Sequence, residues 1–373
     1  MNNSPHTEIA VVGSGIVGLA MALAHHNRGR KVTIFDRSAR PLGATIRNFG
    51  MIWPIGQPKA TYSRAMTSRR IWEEMAEKAG FWREAKGSLQ LAYAPEELAV
   101  LEEFMATAPE SGHQVTLMSP KEIADISPST KQAGLLGGVF SSTEMIVDPR
   151  QAAASVATWL MQQGVEIQYQ TAVTAAGGGR LVANGKEWRY DQLEICSGSD
   201  FETLFPDIFA SSGLTRVKLQ MMRSKPQPLG WRMGPALCAG LTLTHYASFA
   251  HCPSLPALKA RIETEMPWMN TWGIHVMMSQ NGLGELVIGD SHEYGADHDP
   301  FLREEVNQYI LEYLDRFVQA PDLHIQERWY GVYAKLPGAT EFVSEPEAGI
   351  RIVTGLSGAG MTLSFGLAED LLS

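Results

Sequence analysis

The stretch Ile9-Ala10-Val11-Val12-Gly13-Ser14-Gly15-Ile16-Val17-Gly18 decides the fold of this chain. An apolar run ends in the pattern Gly-x-Gly-x-x-Gly, and small residues follow it at helical spacing. In a strand–turn–helix unit, Gly13 makes the tight turn, Gly15 lets the backbone approach a pyrophosphate, and Gly18 lets helix and strand pack closely. The pattern therefore predicts a Rossmann-like dinucleotide site at the start of the chain.

An acidic residue closes the second apolar run. Asp36 follows the run 31–35 and lies 18 positions after Gly18. An acid at this point of a βαβ unit accepts hydrogen bonds from ribose hydroxyls. A lone glycine pattern is weak evidence, but a strand before it, a helix after it and this acid together favour dinucleotide binding over a chance cluster of glycines. The alternative for Asp36 is a solvated charge at a strand end.

Length and composition narrow the class of protein. The chain has 373 residues, of which 45% are hydrophobic and 19% charged, as in a globular protein with one large or two interwoven domains. The net charge of -9 argues against nonspecific binding to nucleic acid or to an anionic membrane. No apolar run approaches the ~20 residues of a spanning helix, and no signal peptide pattern precedes the first strand. We therefore expect a cytoplasmic protein without nucleic-acid or membrane partners.

Cysteine and histidine spacing predicts no metal site. The three cysteines are widely separated and form no Cys-x-x-Cys pair, so neither a disulfide framework nor a zinc site is indicated. Cys196 is interpreted as a small buried core residue rather than a nucleophile. His292 lies beside Asp290 and Glu293, but ligand spacing of that kind is not repeated elsewhere.

Hydrophobic periodicity divides the rest of the chain between two kinds of structure. Helices are predicted at 62–80, 95–108, 148–163 and 300–317. Strands are predicted at 87–93, from 137 towards 147, and at 165–169, 193–199, 217–221, 273–278, 285–289, 328–333 and 350–354. The final strand runs into the glycine-rich turn 355–360 and a helix N-terminus, a second place where a phosphate or a polar ring could meet backbone N–H groups. The nucleotide domain thus looks discontinuous, interrupted twice by a mostly antiparallel domain.

These motifs together resemble the FAD-dependent oxidoreductases of the D-amino-acid oxidase, glycine oxidase and sarcosine oxidase group. The resemblance covers nearly the whole chain and rests on the opening glycines, Asp36, and the segments 43–50, 147–149, 196–198 and 355–360. It implies an α/β fold with a discontinuous Rossmann-like FAD-binding domain and a mostly antiparallel α+β substrate-binding domain. The FAD-binding domain is expected at 1–86, 147–215 and 328–373, and the substrate-binding domain at 87–146 and 216–327.

The same resemblance implies which residues hold FAD. In this group the acid of strand two binds the ribose, residues near Val173 lie by the adenine, and the C-terminal glycine turn faces the flavin ring. Some members attach FAD through a cysteine near that turn, but no cysteine follows Cys252 here, and we predict noncovalent FAD. The residues predicted to bind the cofactor are Gly13, Gly15, Ile16, Val17, Gly18, Asp36, Arg37, Thr45, Arg47, Asn48, Val173, Ser197, Gly198, Gly331, Gly355, Ser357, Gly358, Gly360, Met361 and Thr362.

One departure from the group concerns the substrate. Many of its amino-acid oxidases carry Trp-Ala-Gly-Leu-Arg-Pro in the C-terminal third, and that arginine clamps the substrate carboxylate. The stretch 329–334 reads Trp-Tyr-Gly-Val-Tyr-Ala here, so Tyr333 stands in the arginine's place. One phenol cannot replace a bidentate guanidinium–carboxylate pair. Another cation would then have to bind the anion, with Arg47, Lys218 and Lys335 as candidates, although each could also be a solvated surface charge.

The segments 47–58 and 289–295 resemble a narrower branch of the group, associated with organophosphonate catabolism and thought to oxidise an aminophosphonate. This implies oxidation of the C–N bond of a small anionic amine by hydride transfer to flavin N5, followed by imine hydrolysis, with O2 or another electron acceptor. No catalytic side chain is predicted, because the cofactor carries the difficult step. The residues predicted to bind the substrate are Arg47, Asn48, His245, His292, Tyr333 and Lys335.

Three alternatives stay open at this point. A conventional glycine or sarcosine oxidase could bind its carboxylate through a cation elsewhere in the fold. A flavin-binding subunit could serve a partner enzyme without turnover of its own, although the long segment 216–327 argues for a complete substrate pocket. An NAD-dependent dehydrogenase would share the first glycine motif but not the C-terminal glycine turn.

Overall fold

The computed structural model describes residues 4–373, and the strands in that range form three sheets. The first sheet has eight strands within the described residues, namely β1 (His6–Val12), β2 (Val32–Phe35), β9 (Glu166–Gln168), β10 (Val173–Gly177), β11 (Arg180–Ala183), β12 (Lys186–Ile195), β19 (Phe342–Glu347) and β20 (Ile350–Thr354). Five of them run parallel in the order β9, β2, β1, β12, β20. The others pair antiparallel at its edges.

The second sheet is mostly antiparallel. Its nine strands within residues 4–373 are β5 (Ser88–Ala92), β6 (Val115–Met118), β7 (Gly137–Ser141), β13 (Thr215–Pro226), β14 (Ala236–Cys238), β15 (Met277–Gln280), β16 (Glu285–Gly289), β17 (Glu293–Gly295) and β18 (Ile325–Lys335). Only β5 and β14 pair in parallel among them. A third, small sheet joins β3 (Met51–Ile52), β4 (Arg83–Glu84) and β8 (Met145–Val147).

The α-helices of the described residues are α1 (Ile16–Asn27), α2 (Lys59–Ala79), α3 (Pro95–Ser111), α4 (Pro120–Ile126), α5 (Pro149–Gln162), α6 (Pro206–Ser211), α7 (Gly240–Leu243), α8 (Leu255–Glu265), α9 (Pro267–Thr271), α10 (Glu304–Phe317) and α11 (Gly360–Leu371). None of them is both long enough and apolar enough to cross a membrane. Helix α1 is buried over most of its surface, between the first sheet and helices α5 and α11, which is why its sequence is apolar on all sides.

The opening glycines fix the geometry of the first βαβ unit. Gly13 has φ +100, a conformation that L side chains rarely adopt, and a Cβ there would overlap the carbonyl oxygen of Cys196. A Cβ at Gly18 would overlap the carbonyl oxygen of Gly13. Both glycines are therefore required by close backbone contacts. The predicted fold class, α/β with a Rossmann-like sheet and a mostly antiparallel second sheet, is confirmed.

The stretch 137–147 contains two strands where the sequence predicts one. Strands β7 and β8 belong to different sheets. Between them Glu144 is fully buried, and its carboxylate accepts hydrogen bonds from the Ile55 N–H and the Ser88 hydroxyl, both at 2.9 Å. The chain leaves the sheet there because a buried carboxylate needs donors that a continued strand would not provide.

The strand predicted at 273–278 is regular only in β15, because Gly273 has φ +55. His275 nevertheless exchanges two backbone hydrogen bonds with Asp290. The His275 N–H donates to the Asp290 carbonyl at 3.3 Å, and the Asp290 N–H donates to the His275 carbonyl at 2.9 Å. This irregular extension of the β15–β16 pair places the two side chains next to each other.

The predicted domain boundaries at 147 and 328 both fall inside strands. Val147 ends β8 in the small sheet, and β18 pairs with β13 of the second sheet along most of its length. Strand β18 therefore links the second sheet to the C-terminal segment. The division into two domains stays a prediction.

Candidate active site

A cavity of ≈ 510 Å³ contacts both large sheets. On one side it is lined by residues that follow four parallel strands: Gly13 after β1, Asp36 after β2, Ser197 after β12 and Gly355 after β20. Ligands of open α/β sheets bind at this carboxyl edge. All the residues predicted to bind the cofactor line the cavity except Gly18, whose packing role is described above.

Backbone and small residues form the cavity wall near the first helix. Gly15 lines the cavity, and a Cβ there would meet only the Thr45 hydroxyl, at 3.2 Å. That hydroxyl accepts a hydrogen bond from the Ile16 N–H at 2.9 Å, which ties the loop after β2 to the start of α1. Helix α11 also begins at the cavity, with Gly360. Two helix N-termini and an uncrowded glycine turn fit the pyrophosphate of a dinucleotide cofactor.

The Asp36 carboxylate is already partly hydrogen-bonded. It accepts the Ser14 N–H at 2.7 Å and the Ser14 hydroxyl at 2.6 Å, and its other oxygen accepts the Ser38 N–H at 2.8 Å. An ionised carboxylate has about four acceptor sites, so the capacity to accept a ribose hydroxyl remains. The role of Asp36 in FAD binding stays a prediction that this geometry permits.

The side-chain amide of Asn48 is already hydrogen-bonded within its own loop. Its amide nitrogen donates to the carbonyls of Ala44 at 3.0 Å and Thr45 at 2.9 Å, and its amide oxygen accepts the Gly50 N–H at 2.7 Å. Both amide donors are thereby occupied within the loop. Asn48 shapes the loop that lines the cavity and has no donor left for a substrate anion.

Of the three candidate cations, only Arg47 lines the cavity. Its guanidinium lies 5.9 Å from the centre of the Tyr330 ring and makes a long hydrogen bond of 3.4 Å to the Tyr330 carbonyl. Lys218 is buried, and its ammonium donates to the Phe301 carbonyl at 2.7 Å. The Lys335 ammonium donates to the Tyr294 hydroxyl at 3.0 Å, outside the cavity lining. The predicted substrate role of Lys335 is therefore not supported by this geometry.

Tyr333 lines the cavity with 9% of its surface exposed. Burial raises the pKa of its phenol well above the usual value, and the nearby Asp290 carboxyl raises it further by a smaller amount. The side chain is thus a neutral hydrogen-bonding group at the cavity wall.

Three histidines from separate parts of the chain meet in the same cavity: His245 after α7, His275 before β15 and His292 after β16. These three residues are called the histidine cluster below. Their ring centres lie 3.8, 4.8 and 5.1 Å apart. Asp290 lies beside the cluster, with its two carboxylate oxygens 3.2 Å from His275 Nε2 and 3.9 Å from His292 Nε2. Glu293, the other acid near His292 in sequence, instead faces Lys218 at 3.5 Å.

Burial controls the protonation of this group. Loss of solvation lowers the pKa of His292 to about 4 and the pKa of His275 well below its usual value. The ring of His245 is exposed, but it faces the enclosed cavity, and the same loss of solvation lowers its pKa. Burial raises the pKa of the Asp290 carboxyl well above its usual value. The three imidazoles are therefore neutral near pH 7.

Sequence reasoning identified His245 and His292 as pocket residues but missed His275 and Asp290. His275 alternates with apolar residues in what looked like an ordinary strand. The regular register of β15 with β16, Met277 opposite Gly289, does not set His275 opposite Asp290; the irregular extension of the pair does, and no pattern in the sequence indicates it.

A family profile described as "FAD dependent oxidoreductase" (DAO) matches residues 8–372. Glycine oxidase from Bacillus cereus ATCC 14579 superposes with a TM-score of 0.78 at 17% identity, covering 98% of this chain and 93% of that one. Iminodiacetate oxidase from Chelativorans sp. BNC1 gives a TM-score of 0.74 at 19% identity, covering 98% and 94%. At these identities the structural likeness shows the fold.

Curated proteins match over shorter segments. The tRNA 5-methylaminomethyl-2-thiouridine biosynthesis bifunctional protein MnmC of Vibrio campbellii (strain ATCC BAA-1116) is 27% identical over 215 residues, which are 53% of this chain and 31% of that protein. The chain spans less than a third of the length of the curated relatives it matches.

Proposed function

Because the chain belongs to the DAO family of FAD-dependent oxidoreductases, we propose that it oxidises the C–N bond of a small anionic amine, and that this amine is an aminophosphonate. Bound FAD supplies the two-electron acceptor for such an oxidation. The names of two structural neighbours, glycine oxidase and iminodiacetate oxidase, support the class of substrate, since glycine and iminodiacetate are small amines with anionic groups.

The chain's own residues would hold the cofactor along the carboxyl edge of the parallel sheet. Gly13, Gly15 and the N-termini of α1 and α11 form the part of the wall suited to a pyrophosphate. The carboxylate of Asp36 has an acceptor site left for a ribose hydroxyl. All three cysteines are free and buried, and we propose that FAD is bound without a covalent link.

The observation that carries the substrate proposal is the position of Arg47. Of the three candidate cations, Arg47 is the one that lines the same cavity as the residues predicted to bind FAD, while Tyr333 presents a neutral phenol where the resemblance places the clamping arginine. A guanidinium fork matches the oxygens of a phosphonate as well as those of a carboxylate, and a dianion gains more from the interaction. A tyrosine in place of the expected arginine, together with a different arginine in the cavity lining, favours a substrate whose anionic end differs from that of an ordinary amino acid.

Apolar residues of the cavity would desolvate the reacting amine. Phe49, Leu219 and Met221 line it beside Arg47. Apolar walls exclude water and hold the amine's C–H bond in one orientation once the anionic end is bound. The chain's contribution would therefore be positioning and water exclusion.

Paired substrates test the proposal. Anaerobic reduction of the bound flavin would be followed with aminomethylphosphonate against glycine, and with 2-aminoethylphosphonate against β-alanine. We expect a phosphonate to bleach the flavin at a concentration at least tenfold lower than its carboxylate partner. Reduction by the carboxylates alone would contradict the phosphonate proposal and favour a glycine- or sarcosine-type oxidase. A flavin that no amine reduces would favour a flavin-binding subunit without turnover.

A further inference from the structure

We infer that the histidine cluster and Asp290 form a binding site for a divalent transition-metal ion in the wall of the FAD cavity, and that this ion binds the anionic end of the substrate. The second part of the inference rests on the proposed function. The first part stands on the geometry of the four side chains alone.

The spacing of the side chains fits ligands that share one ion. One ligand nitrogen of each histidine in the cluster lies within 4.8 Å of those of the other two. The Asp290 oxygens lie 3.2 Å from His275 Nε2 and 3.9 Å from His292 Nε2. Ligand atoms held at ~2.0–2.2 Å from one ion lie ~3–4 Å from each other. The two Asp290 separations are already in that range. His245 lines the cavity with its ring stacked on that of His275, and binding the same ion would require this ring to rotate.

The orientation of His292 is that of a metal ligand. Its Nδ1–H donates to the Gly273 carbonyl at 2.9 Å. In the neutral ring this leaves Nε2 unprotonated, and Nε2 is the nitrogen on the side of Asp290. Metal-bound histidines almost always donate their second ring N–H to a carbonyl or carboxylate in this way, because that bond fixes the tautomer and the ring plane.

Two polar atoms of the group make no hydrogen bond among residues 4–373: Nδ1 of His275 and Oδ1 of Asp290, in side chains that are 4% and 5% exposed. Oδ1 of Asp290 lies 3.2 Å from His275 Nε2, but without the geometry of a hydrogen bond. Buried polar atoms are nearly always paired, and an unpaired one requires an explanation such as an absent ion. An ion beside Asp290 would supply the missing partner to its carboxylate.

A cation would also serve the proposed function. Asp290 lies in the wall of the cavity that would receive an anion, and an acidic side chain cannot attract one. A divalent ion would make this part of the wall positive, and an ion that takes five or six ligands would keep a coordination position open towards the cavity beside the four side chains. Three imidazoles with one carboxylate suit zinc, iron, cobalt or nickel better than magnesium or calcium.

The first experiment measures metal binding without turnover. The FAD-loaded protein is treated with a chelator, incubated with Zn²⁺, passed through a desalting column and analysed for zinc and flavin by mass spectrometry and absorbance. We expect about one zinc per flavin, and at least a tenfold loss of zinc affinity in His275→Gln and in Asp290→Asn. His251→Gln removes an exposed histidine that bonds Thr107 far from the cavity lining, and it should bind zinc as the unchanged protein does.

The second experiment measures whether bound zinc strengthens the binding of an anion. Binding of inorganic phosphate and of aminomethylphosphonate is followed by the change in flavin absorbance, in the chelated and the zinc-loaded protein. We expect at least tenfold tighter binding of both anions with zinc present. Melting temperature and FAD content show whether each variant has kept its fold.

The number of zinc ions per flavin distinguishes a failure of the metal-site inference from a failure of the proposed function. Less than a tenth of a zinc per flavin, unchanged in the variants, would overturn the metal site, and the group would then be a hydrogen-bonded histidine–aspartate cluster. Stoichiometric zinc with no effect on anion binding would overturn the role of the ion. Stoichiometric zinc in a protein that oxidises no aminophosphonate would contradict the proposed function and leave the metal site standing.

Discussion

The two sides of the cavity are built in different ways. The side along the parallel sheet, which we propose binds FAD and call the FAD side, consists of backbone turns at the ends of parallel strands. Added Cβ atoms at Gly13 or Gly18 would overlap backbone carbonyl oxygens. The substrate side consists of side chains, such as Arg47 and the histidine cluster, which come from loops and strands far apart in the chain.

This difference determines which substitutions each side of the cavity can accept. At Gly13 and Gly18 the backbone cannot accept an extra atom without moving the strand or helix beside it, so this part of the FAD side is fixed together with the fold. A side chain on the wall of a cavity can be exchanged while the backbone stays in place. Substitutions on the FAD side should therefore affect stability and cofactor binding, and those on the substrate side should affect substrate affinity alone.

The largest effect is expected for Gly18→Ala. The new methyl group would overlap the Gly13 carbonyl, so helix α1 would have to move away from β1. Overpacking against side chains costs about 1–3 kcal/mol, and rigid backbone yields less than a side chain does. We expect a loss of about 3 kcal/mol or more in the free energy of unfolding and purification without FAD.

Gly360→Ala is the matched control, because a Cβ at the start of α11 would lie 3.8 Å from the Ile16 side chain, at ordinary contact distance. Its unfolding, followed by circular dichroism in the apoprotein, should be unchanged or slightly improved. Equal stability of the two alanine variants would mean that the FAD side is not rigid, and the comparison would fail.

The next effect is expected for Asp36→Ala, which removes an acceptor from the FAD side without adding atoms. Hydrogen bonds to a charged group contribute about 1.5–3 kcal/mol, so FAD affinity should fall by about 10- to 100-fold. The Ser14 and Ser38 N–H groups bond different oxygens of Asp36, so Asp36→Asn keeps an acceptor for only one of them and should lose less FAD affinity than Asp36→Ala. Fluorescence titration of the apoprotein with FAD gives both values, and unchanged affinity in Asp36→Ala would remove this residue from the site.

The same difference explains what could be predicted from the sequence. That the opening glycine turn and Asp36 line one cavity could be predicted, because a glycine turn and the acid after the next strand are local patterns with one geometric meaning. The histidine cluster could not, because it depends on the irregular extension of the β15–β16 pair and on where α7 ends. Asn48 was placed in the correct loop, but the direction of its amide is decided by three neighbouring backbone groups.

Burial explains the remaining differences between the predictions from the sequence and the structure. Lys218 alternates with apolar residues like a solvent-facing charge, yet it is buried and bonded to a carbonyl that lies far away in sequence. Glu144 interrupts what reads as one strand because its carboxylate needs three separate donors, among them the hydroxyl of Thr143. The hydrogen-bond partners of Lys218 and Glu144 cannot be recognised before the chain is folded.

On the substrate side, Arg47→Ala should act on affinity alone. Losing a charge-assisted interaction with the anion should raise KM for the substrate by about 10- to 30-fold, with the flavin bound and its spectrum unchanged. Lys335→Ala removes a cation that does not line the cavity and should leave KM within twofold of the original value. Steady-state kinetics and flavin absorbance test both. If Arg47→Ala loses FAD instead, Arg47 belongs to the FAD side and the division drawn above is wrong at this residue.

The smallest effect is expected for Tyr333→Phe. The phenol lines the cavity as a neutral group, so it can offer the substrate anion one uncharged hydrogen bond. Such a bond contributes about 0.5–1.5 kcal/mol, and its loss should raise KM by about 2- to 12-fold while FAD affinity and melting temperature stay constant. Tyr294→Phe is the control, since that hydroxyl bonds Lys335 outside the cavity lining. An unchanged KM in Tyr333→Phe would show that the phenol only fills the space of the relatives' arginine. A KM increase as large as that of Arg47→Ala would instead mean that the neutral wall, rather than the guanidinium, selects the anion.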